Sequence, residues 1–291
     1  MSNGIAERQN TDINICRLAA QRQLYNDDGW LDTILIVVTV IFPLLCSSIK
    51  RLASNYVSIE TVMVVYSLLM LIILWPLRNL GKSKKELAAA IQQEFDIDVY
   101  QMPWDDKLFG KRGNLNTEIA DASKKIVESE KDKQKLFEWY APEVDEFTLE
   151  EGIFACQKEN FSWDAGLRKR YRLFVRIILA VFIIIPICYS LAEGQKVQEL
   201  VRNYYILIPI FVWCRDKING LNEDLNRMAT LETAVYSLEK KKMSDLQLIQ
   251  KGIFDNRKAI IKIPNWFYNI FKDNDEDRER RALSANFARK A

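Results

Sequence analysis

Histidine is absent from this chain of 291 residues. That absence removes Ser-His-Asp and Cys-His catalysis, HExxH zinc sites and the usual general base in one step. Cysteine is sparse: Cys16, Cys46, Cys156, Cys188 and Cys214 are scattered and form no CxxC pair. They read as free thiols in a reducing compartment, without a disulfide framework or a zinc site. The 10 glycines form no GxGxxG or GxSxG pattern. Gly81-Lys82-Ser83 ends like a phosphate-binding loop, but Pro76 occupies the position where such a loop needs its first glycine. Charge of one sign is also lacking. Lys and Arg number 41 against 39 Asp and Glu, a net charge of +2. This is too close to neutral for a polymeric nucleic-acid partner, although a local pocket of Arg and Lys suffices for a small anionic ligand. There is no cleavable signal pattern, because a mixed-charge stretch precedes a first apolar run longer than a signal core. The acidic pairs Asp105-Asp106 and Glu150-Glu151 read as solvated surface rather than metal ligands. No catalytic residue, metal site or cofactor is expected, and the chain is not expected to be an enzyme.

What the chain has is apolar sequence in clusters. A mean hydropathy of -0.14 hides four apolar runs in a chain that is otherwise rich in charge. Trp30–Ile49 and Tyr56–Leu77 form one pair, and Leu173–Leu191 and Leu200–Trp213 form another. Runs of this length cross a hydrocarbon core of about 30 Å at about 1.5 Å per residue. The fourth is short and fits a re-entrant or buried segment as well as a span; counting from Val197 brings it closer to spanning length, with Arg202 snorkelling. Trp30, Trp75 and Trp213 fall where aromatic belt residues sit. One proline lies in each span (Pro43, Pro76, Pro186, Pro209). Arg78, Lys82, Lys84 and Lys85 follow the second run, Arg168 to Arg172 precede the third, and Arg215 and Lys217 follow the fourth. This positive bias puts both termini and the middle segment on the cytosolic side. The expected fold is a mainly α membrane protein with two transmembrane helical hairpins, four spans in all. An α-rich cytosolic domain, with α+β possible, is assembled from the middle and C-terminal segments. The divisions are 1–29, an amphipathic N-terminal segment; 30–77, the first hairpin; 78–172, the middle segment; 173–213, the second hairpin; and 214–291, the helical C-terminal segment.

Within the soluble parts, Ser83-Lys84-Lys85-Glu86 has the form of a capping box opening a helix over 84–95, and Thr148 with Glu151 forms another. Asp96 to Trp104, with Val99, Tyr100 and Met102, reads as a short strand or an extended piece ending at Pro103, and a helix is predicted over 117–140. Ile218, Leu221, Leu225, Met228, Leu231, Val235 and Leu238 step by three and four, which suits a helical hairpin or coiled coil ending at Gly252. Inside the second run, Glu60 sits either at the outer headgroup level or, with Thr61 and Ser67, along a pore. Arg257, Trp266, Tyr268, Trp104, Gln157, Asn160 and Trp163 offer aromatics and donors that suit stacking a base and holding phosphates. In a small domain, such aromatics are more often core.

Several stretches together resemble the S-4TM family of four-span effectors associated with bacterial nucleotidyltransferase (SMODS, CBASS-type) anti-phage systems. They are Arg8-Gln9-Asn10 with Leu18 to Tyr25, Ile91 to Asp96 with Met102-Pro103-Trp104, Cys156 to Asn160 with Trp163-Asp164, and Ile253 to Arg257 with Ile263 to Tyr268. The similarity covers most of the chain. It implies a pore-forming, membrane-disrupting effector in the bacterial inner membrane. A cyclic oligonucleotide from a cognate nucleotidyltransferase would be its activating ligand, and depolarisation and abortive infection the outcome. Four short spans enclose little space, so a wide conduit implies a homo-oligomer. Arg257 and the Trp266–Tyr268 knot match family-like motifs. A constitutive small channel or transporter and a membrane-tethered scaffold remain the alternatives.

Overall fold

The structure is a computed structural model that describes residues 2–45, 59–204, 207–238 and 241–271. Among the described residues every regular element is helical and no strand occurs. The order is α1 (Ile5–Gln9), α2 (Asp12–Leu45, of which Val37–Ile41 is π-helical), α3 (Ile59–Val99) and α4 (Asp106–Phe109). Then come α5 (Asn116–Val127), α6 (Glu130–Gln134), a 3-10 turn (Pro142–Glu146), α7 (Leu149–Ala192), α8 (Val197–Tyr204), α9 (Ile208–Tyr236) and α10 (Met243–Ala259). The chain is helical again over 265–271.

The long helices pass from charged to apolar sequence without a break. α2 has 34 residues, α3 has 41 and α7 has 44, so α7 is about 66 Å long at 1.5 Å per residue. α2 and α7 are long and apolar enough to cross a membrane. α3 carries the second apolar run and then continues, so Ser83 opens nothing. A Ser-x-x-Glu box has meaning only where the first four amides lack acceptors, and inside a continuous helix those amides are already bonded. Thr148 does face such amides. Its hydroxyl accepts from the Glu151 amide at 3.4 Å and caps α7. The prolines differ in their setting: Pro76 and Pro186 lie inside helices, whereas Pro209 lies in the first turn of α9, where a missing N–H costs nothing. The turn of the first hairpin and residues 205–206 of the fourth apolar run lie outside the described residues.

Three other sequence expectations are corrected. Asp96–Trp104 is not a strand. Asp96–Val99 is the last turn of α3, and Gln101 takes φ +52° while Met102 N bonds Ile97 O and Gln101 N bonds Asp98 O. That is a Schellman ending, and it buries Ile97, Val99, Tyr100 and Met102 together. The helix expected over 117–140 stops at Val127 and resumes only as α6. Gln9 clamps the Tyr140 backbone, its side chain donating to Tyr140 O at 3.0 Å and accepting from Tyr140 N at 2.8 Å. Gly252 does not end the C-terminal helical pattern. It lies mid-α10, where a Cβ would meet Leu231 Cδ2 of α9 at 2.2 Å, so it lets the two helices approach closely. The break between them falls at the stretch after Tyr236.

Two main cores result. One gathers Ile5, Ile15 and Leu18 from the N-terminal part, Phe95, Tyr100, Leu136, Tyr140 and Ile153 from the middle, and Met228, Leu246 and Ile253 from the C-terminal part. Each fully buried large aliphatic or aromatic side chain contributes about 1.5–3 kcal/mol. The other lies toward the apolar spans and joins Val40, Tyr171, Val175, Ile210, Trp213, Leu221, Ile263 and Phe267. Trp30 is exposed, as a belt residue would be, but Trp213 is buried in this second core and is not one.

Candidate functional site

A charged and amide-rich network occupies the middle of the soluble core. Asp96, in the last turn of α3, is fully buried. Its Oδ1 accepts from the Tyr140 hydroxyl at 2.8 Å, and its Oδ2 accepts from Gln250 Nε2 at 2.8 Å and Arg257 Nη1 at 2.5 Å. Gln250 also donates to Gln93 Oε1 at 2.9 Å and accepts from Gln157 Nε2 at 3.1 Å. Tyr140 receives Tyr100 Oη at 2.8 Å and Asn160 Nδ2 at 3.1 Å. Helical spacing explains how these residues meet. Gln93, Asp96 and Tyr100 lie three and four apart, as do Gln157 and Asn160, and Gln250 and Arg257 are two turns apart.

The electrostatics hold this network in one ionisation state. Burial lowers the pKa of Arg257, but the adjacent Asp96 carboxylate outweighs it, so the guanidinium stays charged beyond its ordinary range. Burial pushes the Tyr100 and Tyr140 phenols well above their usual pKa, so both keep their protons as donors. Burial likewise raises Cys156 far above a reactive thiol. Gln93 Nε2, Gln157 Oε1 and Arg257 Nη2 are buried without a protein partner, which leaves unused hydrogen-bonding capacity in a closed core.

Next to this network, at the end of α3, lies a shallow groove of about 310 Å³ lined by Ile97, Asp98, Gln101, Met102, Pro103, Trp104 and Arg112. Trp104 Nε1 donates to Gly110 O at 2.9 Å, which fixes the ring, and the Arg112 guanidinium lies 5.5 Å from the ring centroid. Arg112 also faces Glu94 at 3.4 Å, and Arg17 faces Asp98 at 3.1 Å. A pinned indole under a guanidinium can stack a planar heteroaromatic group and hold an anion beside it.

A second set of ion pairs lies beside the second core, between the long helices. Lys217 of α9 meets Asp32 of α2 at 2.6 Å, with both side chains 13% exposed. Arg168 of α7 donates to Asp164 at 2.8 Å, to Asp224 of α9 at 2.7 Å and to Ile261 O at 2.7 Å. Asp224 is fully buried and also accepts from Ile261 N and Arg227. Burial raises its pKa and Arg168 counteracts this.

The residues singled out in the sequence therefore divide. Arg257, Gln157 and Asn160 meet in the buried network, and Trp104 lines the groove beside it. Trp266 and Tyr268 lie elsewhere, against the second core. Trp266 stacks edge-on to Phe174 at 5.6 Å and stays 49% exposed. Trp163 lies in α7 and Glu60, Thr61 and Ser67 lie in α3, and their side chains fall outside the described residues. Sequence reasoning missed Asp96, Tyr140 and Gln250, which hold the network together. For Asp96 and Gln250 the available signal was polar residues at helical spacing on faces that otherwise carry Ile and Phe; Tyr140 lies outside any helix and gave no such signal. Among the described residues no group of three or more His, Cys, Asp or Glu side chains is placed to hold a metal ion.

A family model described as the SMODS-associating 4TM effector domain matches residues 3–285. A protein of Bacillus cereus (strain VD146) named as a probable CBASS effector molecule is 24% identical over 285 residues, covering 94% of each chain. No solved structure matches significantly.

Proposed function

This chain belongs to the family of SMODS-associating 4TM effector domains, and from that premise we propose that it is a pore-forming effector of bacterial anti-phage defence. In this reading it resides in the inner membrane with four spans and both termini cytoplasmic. A cyclic oligonucleotide made by a cognate nucleotidyltransferase binds the soluble body, and the spans of several copies then open a conduit that depolarises the cell. The observation that carries the reading is continuity: α2, α3 and α7 each run unbroken from the shared soluble core into apolar sequence. A ligand that binds one arrangement of the core better than another shifts the spans with it, since only differential affinity moves a population.

The groove beside Trp104 has the chemistry for the ligand, an indole face for a base and Arg112 for a phosphate. It adjoins the α3 turn that carries Asp96. Arg257 serves this reading from behind, holding Asp96 rather than facing solvent. The test is release of trapped dye from phosphatidylethanolamine–phosphatidylglycerol vesicles containing the full chain, challenged with a panel of cyclic di- and trinucleotides. One member should trigger release. Trp104→Ala should weaken its binding about tenfold, from the 1–3 kcal/mol that base–aromatic stacking supplies. If no panel member releases dye, activation by a cyclic nucleotide is wrong; if dye escapes without any nucleotide, the gating is wrong.

A further inference from the structure

The π-helical segment Val37–Ile41 lies inside the first apolar span, and Pro43 explains it. In an α-helix the ring of residue 43 collides with the carbonyl of Thr39, four residues back. Widening the turn relieves that collision, and the Phe42 amide bonds Val37 O, five residues back. In this register the carbonyl of Val38 looks for an amide on residue 43, and proline has none. An acceptor left open in hydrocarbon is costly, so span backbones satisfy every such group internally or through a neighbour. Here the neighbour is α3: the Tyr66 hydroxyl donates to Val38 O, and the Tyr66 and Phe42 rings stand 4.5 Å apart.

The α-helical register has the complementary defect. Phe42 N would then serve Val38, and Thr39 O would be the carbonyl facing Pro43. Thr39 is buried, and its own hydroxyl is committed to Leu35 O at 2.6 Å. An unused donor is present on the facing helix. Trp213 of α9 is 8% exposed and shares the core with Val40, and its indole N–H is buried without a partner. The Lys217–Asp32 pair sets the relative height of the two helices. Trp213 lies four residues before Lys217, and Thr39 seven after Asp32. Side chains on a helix lean toward its N-terminus, which carries the indole outward along α9, toward the level of Thr39.

We propose that Val37–Pro43 is a two-register latch in the first span, held in the π register by Tyr66 and in the α register by Trp213. Each register leaves one carbonyl that Pro43 cannot serve, and each has one outside donor, so a hydrogen bond from Trp213 offsets part of the ring collision that the α register brings back. Passing from π to α removes one residue from the bulge. The outer end of the span then turns by about 100° and moves by about 1.5 Å. The Phe42–Tyr66 contact breaks, and a different face of the outer span turns toward its neighbours. This inference goes beyond the effector reading and needs no nucleotide to be examined.

The experiment uses the full chain in phospholipid vesicles with its native cysteines replaced and a nitroxide attached at Leu45→Cys, a position 56% exposed. Oxygen accessibility of the label reports which way residue 45 faces. Pro43→Ala restores the missing amide, frees the α register and should lower accessibility by about two-fold as the label turns inward. Tyr66→Phe keeps the ring but removes the π-register donor, and should give the same change. Trp213→Phe should leave the label where it is in the parent protein. If Pro43→Ala moves the label and Tyr66→Phe does not, Tyr66 is not the latch. If Tyr66→Phe moves it equally in the presence of Trp213→Phe, the second donor is wrongly assigned. If none of the variants moves it, the two-register proposal fails.

Discussion

At the scale of residues, the structure turns on polar groups placed where apolar ones would pack more cheaply. Taking two charges out of water costs several kcal/mol each, and removing one partner of a buried pair costs about 3–5 kcal/mol because the other is left unmatched. Arg168 and Asp224 form such a pair, in which Arg227, itself 35% exposed, is the second cation on Asp224. Arg168→Ala should therefore destabilise the chain far more than Asp224→Asn. The sign of its pH dependence follows from Asp224, whose folded pKa lies above the unfolded value because of burial and rises further without Arg168. A raised pKa favours the native state below it, and this advantage is lost as pH climbs through it. Lowering pH from about 7.5 to about 5.5 should recover stability in Arg168→Ala and change the parent protein less. Thermal unfolding in detergent micelles, followed by circular dichroism, measures both. A variant equally unstable at both pH values would mean that Asp224 does not carry the loss.

At the scale of elements, the two helices long and apolar enough to cross a membrane and the amphipathic C-terminal pattern were legible because hydropathy and period 3.6 are properties of short windows. The Thr148 cap was legible for the same reason. The strand expected at Asp96 was not, because apolar residues spaced over a few positions also arise where a helix ends in a Schellman turn that buries Ile97, Val99, Tyr100 and Met102. Gly252 was misleading in the same way: glycine marks either a stop or a close approach, and only the position of Leu231 distinguishes them. Of the candidate site, single residues such as Arg257 and Gln157 stood out, but their partners on other elements did not. Asp96 lies 161 positions from Arg257. Gly152 offers a test of element packing. A Cβ there would lie 2.6 Å from Asn3 Nδ2, 3.0 Å from Ile5 Cδ1 and 3.1 Å from the rigid Val144 carbonyl. Gly152→Ala should cost about 1–3 kcal/mol by overpacking and should loosen α1 from the Pro142–Glu146 turn first. Limited proteolysis should then cut near residues 2–11 ahead of any other site. Cleavage elsewhere first would show that α1 is not the element displaced.

At the scale of the whole molecule, one core draws on sequence before, between and after the two apolar pairs. Residues 2–9 and α10 can share that core only from the same side of a membrane. Compartment-sensitive reporters joined ahead of residue 2 and after residue 271 should therefore report the same side, the cytoplasm in the proposed topology. Opposite sides would break the four-span count. The continuity of α7 has a mechanical consequence. Arg168, tied to Asp224 and Ile261, gives that helix a fulcrum part-way along its length. On one side about 28 Å of rod reach back to Leu149 through the polar network, and on the other about 36 Å reach forward to Ala192. The outer arm is the longer. A tilt that shifts the Leu149 end by one ångström sweeps the Ala192 end by slightly more, in the opposite direction, so in the proposed effector a tightening around the polar network would read out as a splaying of the apolar ends.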